Sequence, residues 1–258
     1  MDQDLSRRLK DFLNGPFPQI EGWCNPYIFQ LLQPIAEFQR SIGLAAPICE
    51  IGVFKGKFFN ALVKTSPLRE GHHAIDVFDL QEFNLDYAGA GNLKAFKDNI
   101  IRSGEDPEKM VFIERDSTTF RRRDLDAIRD RVGGFSIFSV DGCHLAEHTI
   151  NDIRIAMELT ADAGVIFVDD YFNPSWPGVH EGVCKLFLTD APLYVPLAYS
   201  ANKLALCHIG YHRRYLSYLS DFIGQHYSGV QIKKVSQFGY ESLVLLPAQG
   251  GGGDTIIA

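Results

Sequence analysis

From Ala46 onward the chain alternates between two patterns of apolar residues. Short continuous apolar runs fall near 47–52, 73–78, 110–114, 135–140 and 164–169. Between them, near 57–64, 92–102, 124–131 and 146–160, apolar residues recur at helical spacing. Unbroken apolar runs of strand length are how fully buried parallel strands read. Their alternation with helices predicts a parallel sheet with right-handed crossovers and helices on both faces. After Asp170 the pattern changes to a helix near 178–189, runs at 193–198 and 203–208, a helix near 211–226, and runs at 230–236 and 239–246. Runs this close together leave no room for a parallel crossover, so that end of the sheet is expected to be antiparallel. Residues 1–45 read as helical pieces broken by Gly15-Pro16-Phe17-Pro18 and Asn25-Pro26, with Leu5, Leu9, Phe12 and Leu13 on one face and Ile28, Leu31, Leu32, Ile35 and Phe38 on another. The expected organisation is a short helical N-terminal cap (1–45), an α/β domain (46–248) and a disordered glycine-rich tail (249–258).

Two of the apolar runs end abruptly in acid: Phe138-Ser139-Val140-Asp141-Gly142-Cys143-His144 and Val165-Ile166-Phe167-Val168-Asp169-Asp170-Tyr171. Ligands of open α/β sheets sit outside the carboxyl ends of the strands. Neighbouring strands lie roughly 4.8 Å apart. Asp141, Asp169 and Asp170 would therefore converge, with His144 beside them, and an all-oxygen cluster of this kind suits magnesium or manganese. Asp141 and Asp170 can equally cap helix N-termini. His144 and His148 have H-x-x-x-H spacing but lack the Glu of the zinc motif. Cys143 has no visible partner base.

The first strand turns into its helix through Cys49-Glu50-Ile51-Gly52-Val53-Phe54-Lys55-Gly56. Gly52 and Gly56 permit a tight turn and close approach of a ligand, although such turns are often merely structural. The spacing is neither the dinucleotide fingerprint nor a phosphate loop. Glu50 would repel a pyrophosphate but suits an amine-bearing ligand, and Asp76, closing the second strand, stands where a carboxylate accepts ribose hydroxyls. Together these point to a nucleoside without phosphates, for which S-adenosylmethionine is the obvious candidate.

In these residues the sequence resembles the class I S-adenosylmethionine-dependent methyltransferases over roughly 46–246. Residues 50–56 look like the family's first motif and 74–79 like its ribose-binding acid, while Asp116-Ser117 looks like the segment that flanks adenine. The resemblance implies a Rossmann-like, doubly wound, seven-stranded sheet, mostly parallel with an antiparallel C-terminal strand. Within the class, the two acid-ended segments are similar to the metal-dependent O-methyltransferases of macrolide (mycinamicin-type) and aminocoumarin sugars. That likeness implies Asp141, Asp169 and Asp170 as magnesium ligands and His144 as base, with Asp141 on the cofactor side as well. The Asp-Asp pair matches the aminocoumarin enzymes rather than the Glu-Asp of the mycinamicin type. The loop 84–91 and the N-terminal 45 residues match no recognisable acceptor pocket.

The implied reaction is O-methylation of a vicinal diol or catechol-like group on a small hydroxylated molecule. A divalent ion chelated by two hydroxyls would lower their pKa and orient them, and an imidazole would remove the proton. Trp176 in the loop after the acidic pair, Tyr171 and Asn173 are candidate acceptor contacts, and Trp23 either closes the site or packs in the core. A catechol-type enzyme would more naturally carry a lysine base, which the 138–148 and 165–173 segments lack. A cephalosporin-hydroxylase-like metal enzyme and a non-catalytic S-adenosylmethionine-binding protein are the competing readings. The formal charge of −7, with acids and bases interspersed, gives no reason to expect nucleic-acid or membrane binding. Arg121-Arg122-Arg123 reads as a solvated helix start. Five cysteines without a C-x-x-C pair, and no signal peptide, fit a cytoplasmic protein. The amphipathic N-terminal helices offer a surface for a homodimer.

Overall fold

A computed structural model describes residues 2–247 and 256–257 of the chain. The five apolar runs form β1 (Ile48–Ile51), β2 (His73–Asp76), β3 (Val111–Glu114), β4 (Phe135–Val140) and β5 (Thr160–Val168). Among them run α3 (Lys57–Thr65), α4 (Leu93–Arg102), α5 (Arg122–Val132) and α6 (Ala146–Leu159). The later part supplies α7 (Pro177–Thr189), β6 (Tyr194–Ser200), β7 (Lys203–His208), α8 (Ile209–His226), β8 (Val230–Gln237) and β9 (Tyr240–Pro247).

All the strands join one sheet in the order β3-β2-β1-β4-β5-β7-β6-β9-β8. The first seven positions form the expected sheet, parallel from β3 to β5, with β7 antiparallel to both β5 and β6. The expected count of seven is corrected to nine. Runs 230–237 and 240–247 pair as a hairpin whose second strand adds to β6 in parallel through Ala198↔Leu243 and Tyr199↔Val244. The antiparallel strand inside the core is therefore not the last strand of the chain.

The N-terminal segment forms α1 (Gln3–Asn14) and α2 (Phe29–Ser41). Leu5, Leu9 and Phe12 enter the same core as α3, α8 and one face of the sheet, and nearly every residue of α2 is buried. Polar side chains fasten this layer. Buried Arg8 donates to the carbonyl of Ser66 at 2.8 Å, just past the C-terminus of α3, where backbone carbonyls lack helical partners. Gln39 donates to the carbonyl of Ser136 at the start of β4 at 2.8 Å. A second core, on the opposite face, joins α5, α6 and α7 to the sheet. In the tail, Ile257 is buried in the first core, contrary to the expectation of disorder there; residues 248–255 and 258 lie outside the described residues. Among the described residues no helix is long and apolar enough to cross a membrane, and all five cysteines are free.

The chain leaves β1 toward β2 and β3 on one side and passes from β4 to β5 on the other. The strand order thus reverses between β1 and β4, and the crevice at their carboxyl ends is where open α/β sheets bind ligands.

Candidate active site

A cavity of about 730 Å³ occupies that crevice. Among the described residues eight non-glycine positions have positive φ, and five of them (Phe54, Tyr87, Asp170, Ala201 and Asn202) line this cavity. Left-handed backbone at bulky residues persists only where surrounding structure enforces it, and such positions gather at functional sites.

On the β1–β2 side, Gly52 lines the cavity at φ +80°, but a Cβ there would stand 1.9 Å from the carbonyl oxygen of Asp141. Close packing of the β1 and β4 ends, rather than a ligand, already requires glycine at this point. Gly56, at φ +82°, faces the Phe96 ring, which an added Cβ would meet at 2.4 Å. It does not line the cavity, and the Phe96 ring occupies the space beside it. Asp76 closes β2 and accepts from the backbone amides of Val53 at 2.7 Å, Phe54 at 3.1 Å and Phe78 at 2.6 Å. It thereby clamps the turn after β1 while lining the cavity. Burial raises its pKa and the three amides oppose the rise.

Glu50 is fully buried at the end of β1, and neither of its carboxylate oxygens has a partner at hydrogen-bond geometry. Nor does the Ser139 hydroxyl, its neighbour across the β1–β4 ladder, although that hydroxyl eases the charge. Burial pushes Glu50 up to about 8 against the opposing pull of Lys203 and Ser139. A buried carboxylate at the wall of a cavity, with no donor in hydrogen-bond geometry and only the Ser139 hydroxyl near enough to ease its charge, fits an amine-bearing ligand. Asp116 and Ser117, after β3, also line the cavity. Asp116 accepts from the amide and hydroxyl of Thr118, both at 2.8 Å, and Ser117 bonds to buried Asp152.

On the β4–β5 side the acids converge as expected but divide their partners. Asp141, His144 and Asp170 place one ligand atom each within 4.8 Å of one another. Burial and the neighbouring Asp169 hold the Asp141 carboxyl well above the usual range. Asp169, the third expected ligand, instead pairs with the ammonium of Lys203 and accepts the Asp170 amide at 2.8 Å. Asp170, at φ +56°, accepts from the side-chain amides of Asn173, at 2.8 Å, and Asn202.

His144 sits between two carboxylates. Its Nδ1 lies 2.7 Å from Asp86 Oδ2, which also accepts the His144 backbone amide at 2.7 Å. Its Nε2 is 3.1 Å from Asp170 Oδ2, and its ring stacks on Trp176 with centroids 4.3 Å apart. Burial disfavours the charged ring, but the bonds to Asp170 and Asp86 outweigh it and raise His144 to about 9. Those bonds hold Asp86 and Asp170 below the usual carboxylate range, again against burial.

Two central residues of the site carry no motif in the sequence. Asp86 lies in the unplaced 84–91 loop and reaches the site only because that loop folds back over His144. Lys203 opens the otherwise apolar run Leu204-Ala205-Leu206-Cys207; a lysine leading a fully buried strand was the available signal. Trp23 is 77% exposed at the rim, 5.2 Å from the Phe54 ring, so it is not a core residue. Trp176 and Asn173 line the cavity, whereas Tyr171 is buried against Gln237 and does not. His148 lines the cavity but lies outside the metal-like cluster, and burial pushes the Cys143 thiol up to about 11, away from the range of a nucleophile.

Residues 49–171 match the family model described as a methyltransferase domain. Among curated proteins no sequence matches. Among solved structures the chain is similar to the O-methyltransferase NovP, at 14% identity over 70% of this chain and 79% of that one, with a TM-score of 0.55. It is also similar to the MycE methyltransferase of the mycinamycin biosynthetic pathway in complex with Mg and SAH, at 18% identity over 81% of this chain and 55% of that one, with a TM-score of 0.51. A protein from Corynebacterium glutamicum is a third, at 11% identity over 81% of this chain and 90% of that one, with a TM-score of 0.50. The likeness to these structures is one of fold, and the family-model match covers the β1–β5 part of it.

Proposed function

We propose that the protein transfers a methyl group from S-adenosylmethionine to a hydroxyl of a small molecule carrying a vicinal diol or catechol-like pair, with a divalent cation such as Mg²⁺ or Mn²⁺ at the acid cluster. The observation that carries this reading is the union, in one cavity at the sheet's switch point, of an unpartnered buried Glu50 with the Asp141–His144–Asp170 cluster. The nucleoside half receives the donor: Glu50 faces its amine, Asp76 borders the ribose position, and Asp116 and Ser117 flank the base.

The acid half receives the acceptor. Asp141 and Asp170 are the carboxylates that would hold a cation, beside His144. When bound, that ion supplies the charge that lowers the pKa of an acceptor hydroxyl and fixes its direction. Asp86 fixes the His144 ring through Nδ1 and aims Nε2 toward Asp170 and the cavity. Proton removal at Nε2 needs a neutral ring, so the base role requires the charge of Asp170 to be satisfied from elsewhere. Alignment of oxygen with the methyl group contributes through geometry rather than through any covalent step with the protein. The rim, with Trp23 and Tyr87 exposed and Trp176 stacked on His144, offers aromatic faces to an acceptor.

The test is incubation with methyl-labelled donor and a panel of vicinal diols and catechols, with and without EDTA. The expected result is a methyl ether whose formation EDTA abolishes. Transfer to nitrogen, or donor binding with no transfer to any hydroxyl, would overturn the reading.

A further inference from the structure

Lys203 is the least expected charge in the molecule. Its side chain is 2% exposed, enters the site from the first position of β7, and pairs with Asp169. On its other side the ammonium lies 4.1 Å from the centroid of the Phe58 ring. Glu50, Asp141 and Cys24 complete its electrostatic surroundings. The pairing with Asp169 and the face of the Phe58 ring are what hold the ammonium in this buried place. A buried ammonium is tolerated only when anions compensate it.

Of the three acids at the ends of β4 and β5, two have ligand atoms gathered with His144, and the third is the one that Lys203 holds. A divalent ion drawn to Asp169 would have to displace or approach a fixed positive charge. We infer that Lys203 is a built-in counter-cation that withdraws Asp169 from the divalent site, leaving Asp141 and Asp170 as its carboxylates and setting its affinity low. This inference rests on the proposed cation at that cluster. It makes Lys203 a positioning residue, not a catalytic one.

Mn²⁺ binding to the full chain, followed by electron paramagnetic resonance of the free ion, reads the inference without any turnover. Lys203→Met frees Asp169, and Mn²⁺ affinity is expected to rise at least about tenfold, because charge-assisted ligation gains a third carboxylate. S-adenosylhomocysteine binding should persist in the variant and report its folded state. Removing one partner of a buried ion pair can also unfold a protein, so the double variant Lys203→Met/Asp169→Asn, which removes both members of the pair, is the second arm. It is expected to bind Mn²⁺ as the unaltered protein does. A tenfold loss in the double variant would show that Asp169 ligates already, and would overturn the inference. Equal affinity of Lys203→Met and the unaltered protein would overturn it while leaving the cation site standing. Absence of Mn²⁺ binding in every form would overturn both.

Discussion

On the β1–β2 side of the cavity Asp76 is held by three backbone amides. Across the crevice, Asp169 and Asp170 are held mainly by side chains: Lys203, His144, Asn173 and Asn202. The two regions lie at the same carboxyl end of the sheet and use the same residue type, yet their partners differ in kind. Main-chain donors are set by the fold and cannot be exchanged without unmaking the turn. Side-chain partners can be displaced by a cation or an acceptor. On the proposed function, the half around Asp76 would stay as it is, and the acid half would change partners when ligands arrive.

The strongest way to break this comparison is to neutralise the acid half. Asp141→Asn is expected to lower turnover by on the order of 10²–10³-fold, in line with loss of one preorganised charged contact. Binding of S-adenosylhomocysteine, measured by calorimetry, should stay within about twofold. If donor affinity fell together with turnover, the two halves would not be separable.

A smaller effect is expected beneath both halves. Asp152 is buried on α6, bonded to Ser117 and Asn151, and a Cβ on Gly142 would stand 2.8 Å from its Oδ2. Burial raises it to about 6, against an unfolded value of about 3.9. Because the folded pKa is the higher one, folding favours the protonated carboxyl. The associated stability is fully present below about pH 4 and is lost as pH rises to about 6. Asp152→Asn should therefore be more stable than the unaltered protein at pH 8, by about 2–3 kcal/mol, and nearly equal to it at pH 4. Urea unfolding at the two pH values measures this, and a variant less stable at pH 8 would contradict it.

Asp76→Asn should weaken S-adenosylhomocysteine about tenfold, as loss of a charged hydrogen bond implies, and should also lower Tm, since the carboxylate clamps the turn after β1. Reduced affinity with an unchanged Tm would mean that the clamp carries no weight. The smallest expected effect is at the rim. Trp23→Ala should raise the acceptor KM a few-fold, in keeping with the roughly 0.5–1.5 kcal/mol of an aromatic contact, and leave donor binding alone.

Most of the strand and helix plan was legible in the chain, because continuous apolar runs and helical periodicity are local signals. β4, for example, occupies the residues 135–140 that its apolar run marks. The addition of β9 to β6 was not legible, since which edge a hairpin joins is a long-range matter. In the site, the acids at the strand ends were visible because a buried run ending in Asp is anomalous where it stands. Asp86 was not: nothing in the loop 84–91 marks it, and it acts only through a backbone path that brings it back to His144. The glycines mark a turn, but the sequence does not say what lies against them. Gly52 and Gly56 do need positive φ and open space, yet the Asp141 carbonyl and the Phe96 ring fill that space. Lys203 heads an apolar strand, but nothing local names its partner, which lies across the pairing of β5 with β7, where Val168 faces Leu204.

The most direct measurement is anomalous diffraction from crystals grown with S-adenosylhomocysteine and Mn²⁺. The account expects the nucleoside beside Glu50 and Asp76, with a manganese peak between the Asp141 and Asp170 carboxylates. Manganese bound elsewhere, or a nucleoside outside the β1–β4 crevice, would contradict it.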